Sequence, residues 1–206
     1  MNVRTRFVTI CVAISFLILS STVFSWAGPC KEDNEAPGIF VPDRGCFSLG
    51  VGYQYQHLNE FASTFHTNGY SVDFGMHLID LVTGGDGRLT LGAEGAVTAG
   101  FDGHTGGSNS LDVKTLFAGA GPHVALENTT RFEPWIHGLI GLEHFRLTQG
   151  ATLGSNSTLG YMVGGGVDIR IIPKVFWRVQ GDYLGTRFQS ALQSNYSTGT
   201  GIVLYF

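Results

Sequence analysis

The sequence predicts an all-β fold, an eight-stranded antiparallel up-and-down transmembrane β-barrel. Three observations carry that expectation. The 206-residue chain is 43% hydrophobic but only 14% charged, well below the roughly 25% usual in soluble domains. Beyond Ala27 it has no run of the roughly 18 consecutive apolar residues that a membrane helix needs. It holds 30 glycines and 15 phenylalanines, and from Cys46 onward apolar and polar residues alternate through short segments. With few charges and no helix to span, strands remain as the membrane element.

The N-terminus reads as an export signal. Arg4 and Arg6 precede an apolar stretch from Phe7 to Phe24, and Ser25-Trp26-Ala27 supplies small residues at the −3 and −1 positions of a cleavage site. Residues 1–27 are therefore expected to be a cleaved secretory signal peptide, with an uncleaved anchor as the alternative. Residues 28–45 hold Pro29, Pro37 and Pro42 without periodicity and read as an irregular lead-in. Pro29 before Cys30 argues against a lipoprotein. Cys11 leaves with the signal, so Cys30 and Cys46 form a possible disulfide in an oxidising compartment, the alternative being two free thiols. No nearby histidine completes a metal site, and neither metal nor cofactor is expected.

Residues 46–206 carry the barrel pattern. In Cys46 to His57, Phe47, Leu49, Val51, Tyr53 and Tyr55 share one face, and Ser48, Gly50, Gln54 and Gln56 the other. An aromatic-rich face at period two is that of a strand whose outside meets lipid. Tyr70 to Leu81 opposes Tyr70, Val72, Phe74, Met76 and Leu78 to Ser71, Asp73 and His77. Arg88 to Phe101 sets Leu89, Leu91 and Val97 against Thr90, Glu94 and Thr98. Leu111 to Leu126 places Asp112 and Lys114 inward, but its alternation blurs at Gly119–Pro122. Arg131 to Leu147 faces His137 and Glu143 inward, which takes Trp135 and Leu139 with them. Ser157 to Ile169 opposes Tyr161, Val163 and Val167 to Gly164, Gly166 and Asp168. Val175 to Phe188 opposes Trp177, Val179 and Tyr183 to Arg178, Gln180, Asp182 and Thr186. Tyr196 to Phe206 ends with Ile202, Leu204 and Phe206 on one face.

Short connections (Val82–Gly87, Glu127–Thr130, Arg170–Pro173) alternate with longer polar ones such as Leu58–Gly69 and Asp102–Ser110. Membrane barrels place short turns in the periplasm and longer loops outside, so both termini are expected on the periplasmic side. His57, His66, His104 and His144 then fall in the external half.

The closing stretch Gly201-Ile202-Val203-Leu204-Tyr205-Phe206 ends in an aromatic residue after alternate apolar positions. It resembles the C-terminal strand of bacterial outer-membrane barrels. The segment from Val175 to Leu184, with Arg178, Gln180, Asp182 and Tyr183, is similar to the penultimate strand of the small OmpA-like outer-membrane β-barrel family. The resemblance implies residence in the cell outer membrane and a barrel domain alone, without a peptidoglycan-binding domain. It also implies Ile202, Leu204 and Phe206 as an assembly signal for the barrel-assembly machinery, and contact with outer-membrane lipid and lipopolysaccharide.

A barrel of eight strands has an interior just wide enough for side chains. The expected lumen polar network is Asp73, His77, Glu94, Lys114, Glu143, Asp168, Arg170, Arg178, Gln180 and Asp182. Charges confined there must pair, which gives a plugged, monomeric barrel with a structural or surface-interaction role. A narrow ion or solute channel is one alternative. A lipid A-modifying enzyme is another, disfavoured because no His-x-Ser pair shares a strand face and no amphipathic N-terminal helix is present; the chain is expected not to be an enzyme. A soluble ligand-binding barrel would need the opposite polarity, with charges outside. The net charge of −4 includes no basic run, so nothing suggests nucleic acid as a partner and none is expected.

Overall fold

The computed structural model describes residues 45–60, 63–84, 87–103, 111–149, 151–188 and 191–206. Residues 1–27 and 28–44, with Cys30, lie outside them, as do His104 and most of Asp102–Ser110. Cys46 is disulfide-bonded, its partner lying outside the described residues.

The strands are β1 (Phe47–Glu60), β2 (Ser63–Gly84), β3 (Gly87–Gly103), β4 (Leu111–Asn128), β5 (Phe132–Gln149), β6 (Ala151–Ile172), β7 (Val175–Phe188) and β8 (Ala191–Tyr205). Each pairs antiparallel with its sequence neighbours, and β1 pairs β8, so the sheet is a closed barrel. Followed from strand to strand, the pairings return to β1 about ten residues further along, which is the stagger that tilted strands require.

Several strands run past the boundaries that composition suggests. Leu58–Gly69 is not a loop: β1 and β2 continue pairing to Glu60↔Ser63. Its polar residues alternate with Leu58 and Phe65, so the two-residue period persists above the membrane. The β5–β6 ladder likewise continues to Gln149↔Ala151 after a bulge at Leu147/Thr148.

Outward side chains form a membrane face. Ile140 is 67% exposed and Leu159 65%, with Ile136, Leu142, Val163, Val51 and Val72 also exposed. Phe47, Phe74 and Phe206 stack at the periplasmic edge, with centroids 5.7 and 6.1 Å apart. At the other edge Tyr53 meets Tyr70 at 6.4 Å, Tyr161 meets Tyr183 at 6.0 Å, and Tyr183 meets Tyr196 at 5.3 Å. With a rise of about 3.3 Å per residue and a tilt near 40°, Phe47 to Tyr55 covers about 20 Å of height, close to the apolar band of about 25 Å in such barrels.

One inward assignment is corrected. In β4 it is Val113, Thr115 and Phe117 that are buried, so Asp112 and Lys114 belong to the outward face. The Lys114 side chain is 52% exposed and pairs with Asp112 at 3.0 Å. Both sit beyond the apolar band, where an outward position meets water and headgroups instead of hydrocarbon. Charge there says nothing about facing. The blur at Gly119–Pro122 has a local cause. β4–β5 pairing stops at Ala120↔Ile140 and resumes at His123↔His137, around a proline with no N–H to donate.

The chain ends meet. Phe47 N donates to Phe206 O at 3.0 Å, and Phe206 N to Phe47 O at 2.9 Å. Gly45 precedes this seam with φ +77°, and a Cβ there would collide with the Phe206 backbone, so glycine is required twice over. At the β6–β7 turn, Pro173 is followed by Lys174 at φ 67°, the type II pattern that favours glycine at that position. Lys174→Gly is expected to stabilise the barrel by about 0.5–1 kcal/mol, read as a higher urea midpoint for the refolded protein in micelles.

Candidate functional site

The lumen is filled in layers, each held by side chains from several strands. At the periplasmic mouth Arg170 donates to Glu133 at 2.6 Å and to the Asn128 carbonyl at 3.2 Å. Arg88 donates to Glu127 at 2.7 Å. His77 sits on this rim, 3.3 Å from Asp80, where bulges at His77/Ile79 and Asp80/Val82 twist β2 away from strict alternation.

Above it lies Arg178, only 4% exposed. Its Nε and Nη2 reach the two oxygens of Asp168, both at 2.8 Å, and its Nη1 donates to Asp73 at 2.7 Å. Asp168 also accepts from Trp135 Nε1 at 3.0 Å and from Tyr205 Oη at 3.1 Å. The guanidinium lies 4.5 Å from the centre of a Trp135 ring, a cation–π contact in a site without bulk water. One arginine thus ties side chains of β2, β5, β6, β7 and β8 together.

The next layer is a chain of acids and imidazoles. Glu94 meets His123 Nδ1 at 2.5 Å and His137 Nδ1 at 2.9 Å. His137 Nε2 lies 3.2 Å from Asp182 Oδ1, an ion-pair approach whose angle falls outside hydrogen-bond geometry. Asp182 Oδ2 accepts from Gln180 at 3.1 Å and Ser197 at 3.2 Å.

An apolar layer follows, made of Ala96, Phe117, Leu139, Met162 and Leu184. Beyond it Gln56 Oε1 accepts from Thr67 at 3.0 Å and Thr115 at 2.9 Å. Gly100 lies at this point, where a Cβ would run into all three side-chain oxygens. Glu143 is buried alongside. Leu58, Val113 and Phe145, with Phe65 and Leu147 against them, cap the external end.

Of the expected network, Asp73, Glu94, Glu143, Asp168, Arg178 and Asp182 are buried in the lumen. Gln180 and Arg170 are part-buried there, His77 is on the rim, and Lys114 is outside. The sequence reading did not single out Glu133, Glu127, Arg88, His123 and Tyr205. Glu133 was accessible to it, being two residues from Trp135 on the same face. Glu127 and His123 share the odd-numbered inward face of β4 that the misplaced Lys114 concealed.

Breaking a buried ion pair from one side strands the other charge. Arg178→Met is expected to cost about 3–5 kcal/mol, measured by urea unfolding in micelles. Adding Asp73→Asn and Asp168→Asn to it should recover much of that loss.

No protein-family model matches the chain, and no curated protein does. Solved structures do. Neisserial surface protein A aligns at a TM-score of 0.60 with 12% identity, covering 78% of this chain and 97% of that one. Ail, the attachment invasion locus protein of Yersinia pestis, solved in complex with the heparin analogue sucrose octasulfate, aligns at 0.53 with 17% identity, covering 78% and 99%. The fold of this chain is that of the small eight-stranded bacterial outer-membrane barrels.

Proposed function

We propose that this protein is a non-conducting, monomeric integral protein of the bacterial outer membrane, with a structural or surface-interaction role and no catalytic activity. The observation that carries this is the filled lumen inside an apolar, aromatic-edged outer face. Two gaps in its wall and interior are each about 10 Å³, room for a single water. The apolar layer of Phe117, Leu139 and Met162 offers an ion nothing to replace its hydration shell. The partners the outer face fits are outer-membrane lipid and lipopolysaccharide. Ile202 and Leu204 on the final strand and Phe206 just after it, all exposed, suit a signal read by the barrel-assembly machinery before β8 closes on β1. The β1–β2 and β5–β6 ladders, continuing beyond the tyrosine ring, supply the stiff external edges for a surface contact.

The enzymatic alternative has one feature to consider. His144 Nδ1 lies 2.8 Å from Ser157 Oγ, and its Nε2 lies 3.4 Å from Ser155 Oγ. Nucleophilic catalysis needs one imidazole nitrogen on the serine and the other on an orienting group, usually a carboxylate. Serines occupy both nitrogens here, which supports a non-catalytic reading.

The refolded protein should migrate faster in a gel unboiled than boiled, and should leave planar lipid bilayers electrically silent. Discrete single-channel steps would replace this reading with the narrow channel.

A further inference from the structure

His57 and His66 face each other across the β1–β2 ladder as directly paired residues, on the outer face one step beyond the tyrosine ring. Their Nδ1 atoms are 3.3 Å apart. The Tyr55 hydroxyl is 2.8 Å from the same Nδ1 of His66. Tyr55 and His66 are stacked at 5.7 Å with an interplanar angle of 13°, which fixes the His66 ring. His66 is exposed and His57 half-buried, so the group opens to the aqueous side of the membrane edge.

Hydrogen bonding alone leaves this arrangement incomplete. A ring nitrogen offers either one lone pair or one proton. The Nδ1 of His66 can therefore make one full, linear hydrogen bond, to the phenol or to the second imidazole, but not one to each. A cation between the three atoms engages all of them at once. The spacing agrees: two imidazole nitrogens held about 2.0–2.1 Å from a tetrahedral metal lie about 3.3 Å from each other. Among the described residues no three His, Cys, Asp or Glu side chains gather to hold a metal. The donor set is thus two imidazoles and a phenol, with water completing the coordination.

We infer that His57, His66 and Tyr55 form a binding site for a divalent transition-metal ion of the zinc type at the external membrane edge. Imidazole selects zinc, copper or nickel over the hard cations magnesium and calcium. Both histidines project from paired strands rather than from a loop, which holds a site more tightly. No such site was expected from the sequence, where Leu58–Gly69 reads as a loop and the two rings have no fixed relation.

The test uses untagged mature protein refolded in a detergent free of chelators. Zinc is titrated calorimetrically, and copper(II) serves as a paramagnetic probe of nitrogen ligation. The expected result is one zinc per chain, weakened in His57→Ala and in His66→Ala by more than about tenfold, the loss that removing even an outer-shell partner brings. Tyr55→Phe should weaken it less, and His144→Ala should leave it unchanged. The copper spectrum should show two coupled nitrogens, falling to one in either histidine variant. All four variants lie on the outer rim, and their heat-dependent gel migration reports that the barrel is intact. Absence of zinc uptake would overturn the inference, as would uptake that survives loss of both histidines.

Discussion

The ladder between β1 and β8 is the contact on which the rest of this molecule depends. It runs from Ser48↔Tyr205 to His57↔Tyr196 and joins the first described strand to the last. Without it both strands would present a row of unpaired N–H and C=O groups to hydrocarbon, at several kcal/mol for each group. The seam is reinforced at the edge by paired Phe47 and Phe206 backbones and stacked rings. A chain built this way cannot close until β8 is in place. The C-terminal strand therefore carries more of the fold than its length suggests.

Closure fixes the width of the lumen, and width dictates its chemistry. Eight tilted strands leave no room for bulk water, so every inward charge must find its partner among other side chains. Arg178 does so with Asp168 and Asp73 while donors from Trp135 and Tyr205 complete Asp168. Inward hydrocarbon is tolerated equally well, because Leu139 or Met162 needs no partner at all. The order of layers follows: the ionic layers stack on one another from the periplasmic mouth, with Trp135 touching both Arg178 and His137, and one apolar layer separates them from the Gln56 cluster beyond.

Much of this was legible in the sequence, for one physical reason. Within the hydrocarbon band an outward residue must be apolar, so Tyr53, Val72, Val163 and Trp177 disclose the facing of Gln54, Asp73, Gly164 and Arg178. The rule lapses at both ends of a strand. At Asp112 and Lys114 the outward face is already among headgroups, and alternation there carries no direction, which is why these two charges read as inward. It lapses again at the bulges near His77 and Leu147, where one inserted residue shifts the period. Partners were less legible than faces. Nothing in the spacing of Glu94, His123, His137 and Asp182 says that four strands bring them into line, since that depends on the stagger accumulated around the ring.

The same reasoning separates where this protein is stable from where it is free to act. A lumen side chain such as Asp168 has every hydrogen-bonding position committed, so a substrate or ion could engage it only by breaking the network that holds the barrel. Outward residues inside the band meet only acyl chains. The external rim has neither obligation. There the strands continue, still paired and stiff, but their side chains face water and headgroups. His57, His66, His144, Lys114 and Arg146 all project from this rim, the cross-strand pair Lys114↔Arg146 setting two like charges opposite each other. Directly opposed like charges destabilise a sheet, and here the Asp112 carboxylate, 3.0 Å from Lys114, offsets part of that cost. In a barrel filled this completely, the rim is where side chains stay open to a partner.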